Sequence, residues 1–129
     1  ASGVVVYGDQ RGLALSDYDG DGRLDIALAQ NGDATRLFRN AAAAPGLRVR
    51  LVGSVANPDA VGAQVRLEFA TGLGPVREVQ AGSGYWSQQG AVQVLGAPTA
   101  PKAVRVRWPD GHATRTPVPD GAREVRVTP

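Results

Sequence analysis

The chain has 129 residues, which is enough for one domain or for one domain with a smaller unit attached. With 43% hydrophobic residues, 20% charged residues and a formal net charge of +2, its composition is that of a globular protein. The lack of cysteine excludes disulfides and thiolate metal sites, and the single histidine, His112, excludes a zinc site built from several histidines. No apolar run reaches the roughly eighteen residues of a membrane-spanning helix, so we expect no membrane insertion.

Charge divides the chain into two parts. Residues 1–40 hold four arginines and six aspartates, whereas residues 41–129 hold ten basic and six acidic residues. The segment between them, residues 41–46, is four alanines followed by Pro-Gly, which could form one helical turn before the proline ends it. We therefore predict a small unit over residues 1–40, a linker over 41–46 and a main domain over 47–129.

The first unit contains an acidic loop between two predicted strands, residues 12–16 and 26–29. Four aspartates fall within the nine residues 17–25, with Gly22 among them. Carboxylates this close repel one another unless a cation lies between them, and alternate spacing lets them converge on one point. The sequence therefore predicts a metal site; the other interpretation is an acidic, solvated turn.

The expected ion is Ca²⁺, because all the candidate ligands are oxygens and the loop is flexible. An EF-hand would place a glutamate at the twelfth loop position, where this chain has Leu28. We expect Asp25 to close the ring instead, and the ion to be structural and not catalytic. The predicted ligands are side-chain oxygens and one backbone carbonyl, from Asp17, Asp19, Asp21, Asp25 and, through its carbonyl, Arg23.

The main domain shows the period of strands throughout. Apolar and polar residues alternate over residues 47–52, 64–69, 104–108 and 125–127, and turn signals such as Pro109-Asp110-Gly111 separate these segments. This pattern predicts an all-β fold, an antiparallel β-sandwich or barrel with one face of each strand on the core. Trp108 continues the apolar face of its strand and is predicted to be buried.

A glycine-rich segment, residues 82–88, carries two adjacent aromatic residues, Tyr85 and Trp86. Either ring could stack on a sugar, which makes the pair a possible ligand contact. Because aromatic residues are scarce in this chain, we expect instead that one of them fills the core and the other is partly exposed.

Charged residues on the strands give two further candidate functional sites. The outward-facing arginines could form one basic sheet face for acidic glycans, or be solvated beside local glutamates; they are Arg48, Arg50, Arg66, Arg105, Arg107 and Arg126. Glu68 and Glu78 could pair as in glycosidases, but we expect them to be ion-paired surface residues. Basic residues are spread along the chain without interleaved aromatics, so we expect no nucleic-acid partner.

Several of these segments resemble known families. Residues 11–25, with the continuation to residue 40, resemble an FG-GAP/VCBS repeat, the integrin-like propeller repeat that carries a calcium loop. Residues 47–53, 57–65, 82–88 and 106–111 are similar to an ASPIC/UnbV domain. The order of the two units is that of the cartilage acidic protein family and its bacterial relatives.

The resemblance implies a propeller repeat followed by a β-sandwich comparable to transthyretin, at the C-terminal part of a larger protein. It implies a non-catalytic, calcium-binding interaction or adhesion module, extracellular or periplasmic, with a protein or glycan ligand. The alternative is a carbohydrate-binding or accessory domain of a larger carbohydrate-active enzyme. A single propeller repeat cannot complete its own core, so we expect it to dock on the main domain or to pair with the same segment of another chain. We favour docking within the chain together with a tendency to form a homodimer through residues 1–40.

Overall fold

The computed structural model describes residues 3–129 and confirms the all-β prediction. Eleven strands form three sheets, and no helix occurs within the described residues. The alanine run of the linker forms a bend within otherwise irregular chain, and it does not form a helical turn. The strands are β1 (Gln10–Ser16), β2 (Asp25–Gln30), β3 (Arg36–Phe38), β4 (Leu47–Leu51), β5 (Gln64–Phe69), β6 (Gly72–Leu73), β7 (Arg77–Glu78), β8 (Val92–Leu95), β9 (Ala103–Arg107), β10 (Ala113–Pro117) and β11 (Glu124–Val127).

The first sheet is an antiparallel meander in the order β1-β2-β3. Leu13 lies opposite Leu28 and Leu15 opposite Ile26, so the four aliphatic side chains share one face of the β1–β2 pair. The acidic loop joins these two strands.

The main domain consists of the other two sheets, which confirms a sandwich-like fold. One has the order β10-β9-β5-β6, with β7 also paired to β5, and the other has the order β11-β4-β8. All the pairs in both are antiparallel except β11 with β4, which is parallel. This exception to the predicted antiparallel pattern arises because the last strand of the chain returns beside the first strand of the domain. Parallel neighbours need a long connection, and here the rest of the domain supplies it.

The core is made by alternate residues of these strands, as the period-two pattern predicts. The fully buried side chains include Val49 of β4, Val65 of β5, Val104 and Val106 of β9, and Val127 of β11. They belong to one apolar cluster with Trp108, which is 4% exposed. Burying each such valine contributes about 1.5–3 kcal/mol.

The first sheet contacts the main domain through loops and not through strand pairing. The amide of Gly90 donates to the carbonyl of Leu15 (3.3 Å), and the amide of Gly46 donates to the carbonyl of Gly22 (2.8 Å). On β1, a Cβ added at Gly12 would lie 3.0 Å from the carbonyl oxygen of Trp86. Docking within the chain was expected, but it leaves apolar side chains of the first sheet at the surface.

The outward arginines do not form the single basic face that the sequence suggested. Arg48, Arg50 and Arg126 belong to the β11-β4-β8 sheet, whereas Arg66, Arg105 and Arg107 belong to β5 and β9 of the other sheet. Period-two alternation shows that a residue points away from the core, but in a sandwich the outward directions of the two sheets are opposite.

Within residues 3–129, no helix is long and apolar enough to cross a membrane.

Candidate metal centre

The acidic loop is the connection of a β-hairpin, closed by the pairing of Ser16 with Asp25. Gly20 and Gly22 have φ angles of +78° and +84°, in the left-handed region that glycine adopts without strain. At Gly22 the close approach of the linker is a second reason for glycine. A Cβ there would lie 3.0 Å from the carbonyl oxygen of Gly46 and 3.2 Å from Cβ of Pro45.

Three of the predicted ligands come together in this loop. One carboxylate oxygen each from Asp17, Asp19 and Asp21 lie within 4.8 Å of one another. The alternate spacing in the sequence produces this convergence because every second side chain of the loop turns inward. Three carboxylates at this separation form an oxygen-only donor set, which suits a hard divalent cation.

Asp17 is the buried member of the group. Its side chain is 1% exposed. Oδ2 accepts a hydrogen bond from the amide of Gly22 (2.9 Å) and another from Nη1 of Arg48. Oδ1 is buried and has no hydrogen-bond partner in the part of the chain that the structure describes. A buried carboxylate oxygen without a partner is costly, and a bound cation would satisfy it.

Asp25 is 2% exposed and lies outside the three-carboxylate group. Its Oδ1 accepts a hydrogen bond from the amide of Asn40 (2.7 Å) and its Oδ2 accepts one from the amide of Tyr18 (3.3 Å). The side chain therefore ties the start of the loop to the chain that leaves β3. A carboxylate oxygen accepts more than one partner, so the role of Asp25 as a ligand stays a prediction.

The fifth predicted ligand, Arg23, is held at the end of the loop. Its amide and its Nη1 both donate to the Asp21 carboxylate, each at 2.9 Å, and its Nε donates to the carbonyl of Ala43 in the linker. The side chain thus fixes Asp21 and joins the loop to the linker, while the predicted use of its carbonyl as a ligand is untested.

The sequence analysis missed Arg39 and Asn40, which follow β3 and return to the loop. Arg39 contacts Asp19 through Nε (2.6 Å) and Asp21 through Nη2 (3.2 Å). The hydrogen bond that Arg39 donates to the Asp19 carboxylate is the main cause of the raised pKa of Arg39. Nothing in the spacing of the aspartates points to these residues. The topology does, because the end of β3 lies beside the start of β2 in a three-stranded meander.

Tyr85 and Trp86 are both exposed, at 63% and 85%, so the expectation that one of them fills the core is wrong. Gly84 and Ser87 form an isolated bridge that places the two aromatic residues at the tip of a tight turn. Their rings stack on each other with centroids 5.7 Å apart. The core has its large aromatic side chain from Trp108 instead, whose Nε1 donates to Oγ1 of Thr114.

The glutamates do not form a glycosidase pair. Glu78 lies opposite Gln64, four residues along β5 from Glu68, which corresponds to about 13 Å along a strand. Glycosidase carboxylates lie roughly 5–9.5 Å apart. Glu68 is instead ion-paired, as expected for a surface carboxylate, and its hydrogen bonds with Arg115 and Arg105 lower its pKa to about 2.

His112 lies in the turn after Trp108 and is exposed. Its Nδ1 lies 2.6 Å from Oδ1 of Asp110, and its ring stacks on the indole of Trp108 with centroids 5.9 Å apart. The hydrogen bond with His112 is the main cause of the lowered pKa of Asp110.

These features define a class of protein: a β-sandwich domain with a three-stranded sheet, bearing an acidic loop, attached at its N-terminal side. A family model described as ASPIC and UnbV matches residues 53–129. The match covers more than half of the chain, so the protein belongs to this family, in agreement with the resemblance of its glycine-rich and Trp-Pro-Asp-Gly segments. No curated protein matches the chain. Strand β4 precedes the matched residues but is the central strand of its sheet.

Proposed function

We propose that this chain is a non-catalytic, calcium-binding interaction module that acts outside the cytoplasm. The observation that carries the proposal is the convergence of Asp17, Asp19 and Asp21, with Oδ1 of Asp17 buried and without a hydrogen-bond partner among the described residues. In this proposal residues 1–40 are a repeat of the FG-GAP/VCBS type, and the chain is the C-terminal part of a larger propeller protein.

Calcium is favoured over other ions by the donor chemistry. The three carboxylates supply oxygen alone, Asp25 and the carbonyl of Arg23 are close in sequence and would add two more oxygens, and Ca²⁺ accepts six to eight such ligands in flexible geometry. Extracellular calcium modules bind with dissociation constants of about 0.1–1 mM, and we expect this site to lie in that range.

The ion would act on structure, because the loop provides one of the contacts between the first sheet and the rest of the chain. The carbonyl of Gly22 accepts a hydrogen bond from the amide of Gly46, and Nε of Arg23 donates one to the carbonyl of Ala43. Asp17 accepts a hydrogen bond from Arg48 of β4. A cation that fixes the carboxylates would therefore fix the position of the first sheet on the main domain.

The exposed apolar side chains of the first unit support its use as an interaction surface. Leu13 of β1 is 46% exposed and Leu37 of β3 is 54% exposed, and these two strands are the edges of their sheet. Edge strands with exposed apolar groups pair readily with other chains. In this proposal the unit contacts neighbouring repeats of a full-length protein, or forms a homodimer when it stands alone.

Calorimetric titration of the protein with CaCl₂, after dialysis against chelator, tests the calcium site. We expect saturable binding of one ion, with a weaker response to MgCl₂, because Mg²⁺ demands a stricter octahedral geometry. The absence of any heat or stabilisation at millimolar calcium would contradict the proposal.

A second function, binding of a neutral carbohydrate, is favoured by the exposure of both Tyr85 and Trp86. Exposed aromatic rings stack on sugars, and these two have no core role to explain them. We expect Trp86→Ala to abolish retention of the protein in affinity gels that contain a bound polysaccharide. Equal retention of the variant and the wild type would contradict this function.

A further inference from the structure

The outward face of the β10-β9-β5 part of the main domain carries a row of arginines. Arg66 of β5 lies directly opposite Arg105 of β9, and Arg105 lies directly opposite Arg115 of β10. Neighbouring strands are about 4.8 Å apart, so the row crosses three strands at that spacing. Arg107 lies two residues after Arg105 and therefore projects from the same face.

Such a row lowers the stability of the sheet, because like charges directly opposite each other in neighbouring strands repel. Glu68 offsets part of the repulsion by pairing with both Arg105 and Arg115. These ion pairs hold the two guanidinium groups in place, and the hydrogen bonds that they donate lower the pKa of Glu68. Within residues 3–129, Arg66 and Arg107 form no ion pair with any carboxylate. The face therefore carries a net positive charge.

The four arginines line one shallow groove of about 400 Å³. Gln64 and Thr114 add polar groups to its wall, and Leu73 and Val76 lie along one side. None of the described residues that line it is acidic or aromatic. The volume is within the range of small-molecule sites. The groove is open along the sheet surface, however, so a long ligand fits it better than a small ligand that has to be enclosed.

We propose that this groove binds a linear acidic polysaccharide, a chain that carries sulfate or carboxylate groups at regular intervals. Each guanidinium group can donate two parallel hydrogen bonds to one carboxylate or sulfate group. A row of regularly spaced guanidinium groups can therefore bind successive anionic groups of one polymer. Single-stranded nucleic acids are bound with aromatic side chains that stack on the bases, and this groove has none.

The proposal does not depend on the calcium loop. That loop contacts Arg48 of β4, in the other sheet of the sandwich, and the polysaccharide groove is formed by β5, β9 and β10 with the loop after β6. It is also separate from the Tyr85–Trp86 turn, whose stacking would serve a neutral sugar. Binding measured in the presence of chelator therefore tests the groove independently of the calcium loop, and the groove variants separate it from the Tyr85–Trp86 turn.

The test uses the full chain, heparin as the sulfated probe and polygalacturonate as the carboxylated one, with chelator present throughout. The double variant Arg66→Gln/Arg107→Gln removes the two arginines that have no carboxylate partner. The matched control is Arg123→Gln/Arg126→Gln, which changes the net charge equally at two exposed positions in or next to β11, on the other sheet.

Wild-type protein should bind at least one of the two probes at low salt, and the groove variant should bind it several-fold more weakly. The dependence of affinity on salt should also become weaker, because two fewer guanidinium groups displace counterions from the polyanion. The control pair should leave affinity nearly unchanged, and both variants should unfold at the wild-type temperature or above it.

Three results would overturn the proposal. One is no binding of either polysaccharide by the wild type at low salt. Another is equal weakening by both arginine pairs, which would show that net charge alone attracts the polyanion. The last is equally tight binding of a single-stranded DNA oligonucleotide, which would show a general polyanion or nucleic-acid surface in place of a polysaccharide site.

Discussion

Calcium should slow amide hydrogen exchange in β1 and β2 by up to about a hundredfold at a hundredfold excess over Kd, and Asp17→Asn should abolish the effect. This factor corresponds to about 2.7 kcal/mol of stabilisation of the folded loop. Asparagine keeps the size of the side chain but removes the negative charge and one oxygen, and Asp17 is the predicted ligand whose Oδ1 has no hydrogen-bond partner among residues 3–129. Mass-spectrometric hydrogen exchange with and without calcium measures the change segment by segment.

Asp33→Asn is the matched control for this experiment. Asp33 belongs to the same unit, and its replacement removes the same charge. It lies in the turn between β2 and β3, where its carboxylate is exposed and 4.0 Å from the guanidinium group of Arg36. Its calcium response should equal that of the wild type. If Asp17→Asn and Asp33→Asn retain the same calcium protection, the acidic loop is not the site of the ion.

Replacing Trp108 with alanine should destabilise the main domain by about 3–5 kcal/mol, the usual result of removing a buried tryptophan. Trp108 is 4% exposed, belongs to the central apolar cluster and donates through Nε1 to Thr114. The substitution therefore leaves a cavity between the sheets and removes the partner of a half-buried hydroxyl. Equilibrium denaturation in urea, followed by circular dichroism, measures the loss.

The chain's other tryptophan provides the control. Trp86 is 85% exposed, so Trp86→Ala should change the free energy of unfolding by no more than about 0.5 kcal/mol. The emission of the remaining indole should also differ, red-shifted when only Trp86 is left and blue-shifted when only Trp108 is left. Similar destabilisation by the two substitutions would mean that Trp86 packs against the fold.

The class of fold and the position of the core follow from local patterns in the sequence. A strand places alternate side chains on opposite faces, so the apolar positions of an alternating segment all face the core. The buried residues Val49, Val65, Val104 and Val127 occupy such positions. The same local rule identified Trp108. The acidic loop was also predictable, since the alternate spacing of Asp17, Asp19 and Asp21 brings their oxygens together within one turn of chain.

Whatever depends on which strands are neighbours was decided by the tertiary structure. Alternation could not show that Arg48 and Arg66 face opposite sides of a sandwich, or that Arg66, Arg105 and Arg115 align in one row. Nor could it place Arg39 on the acidic loop or keep Tyr85 and Trp86 out of the core. Local sequence fixes the direction of a side chain relative to its own strand, whereas its neighbours come from pairing between segments far apart in the chain, and the burial of apolar surface over the whole domain selects that pairing.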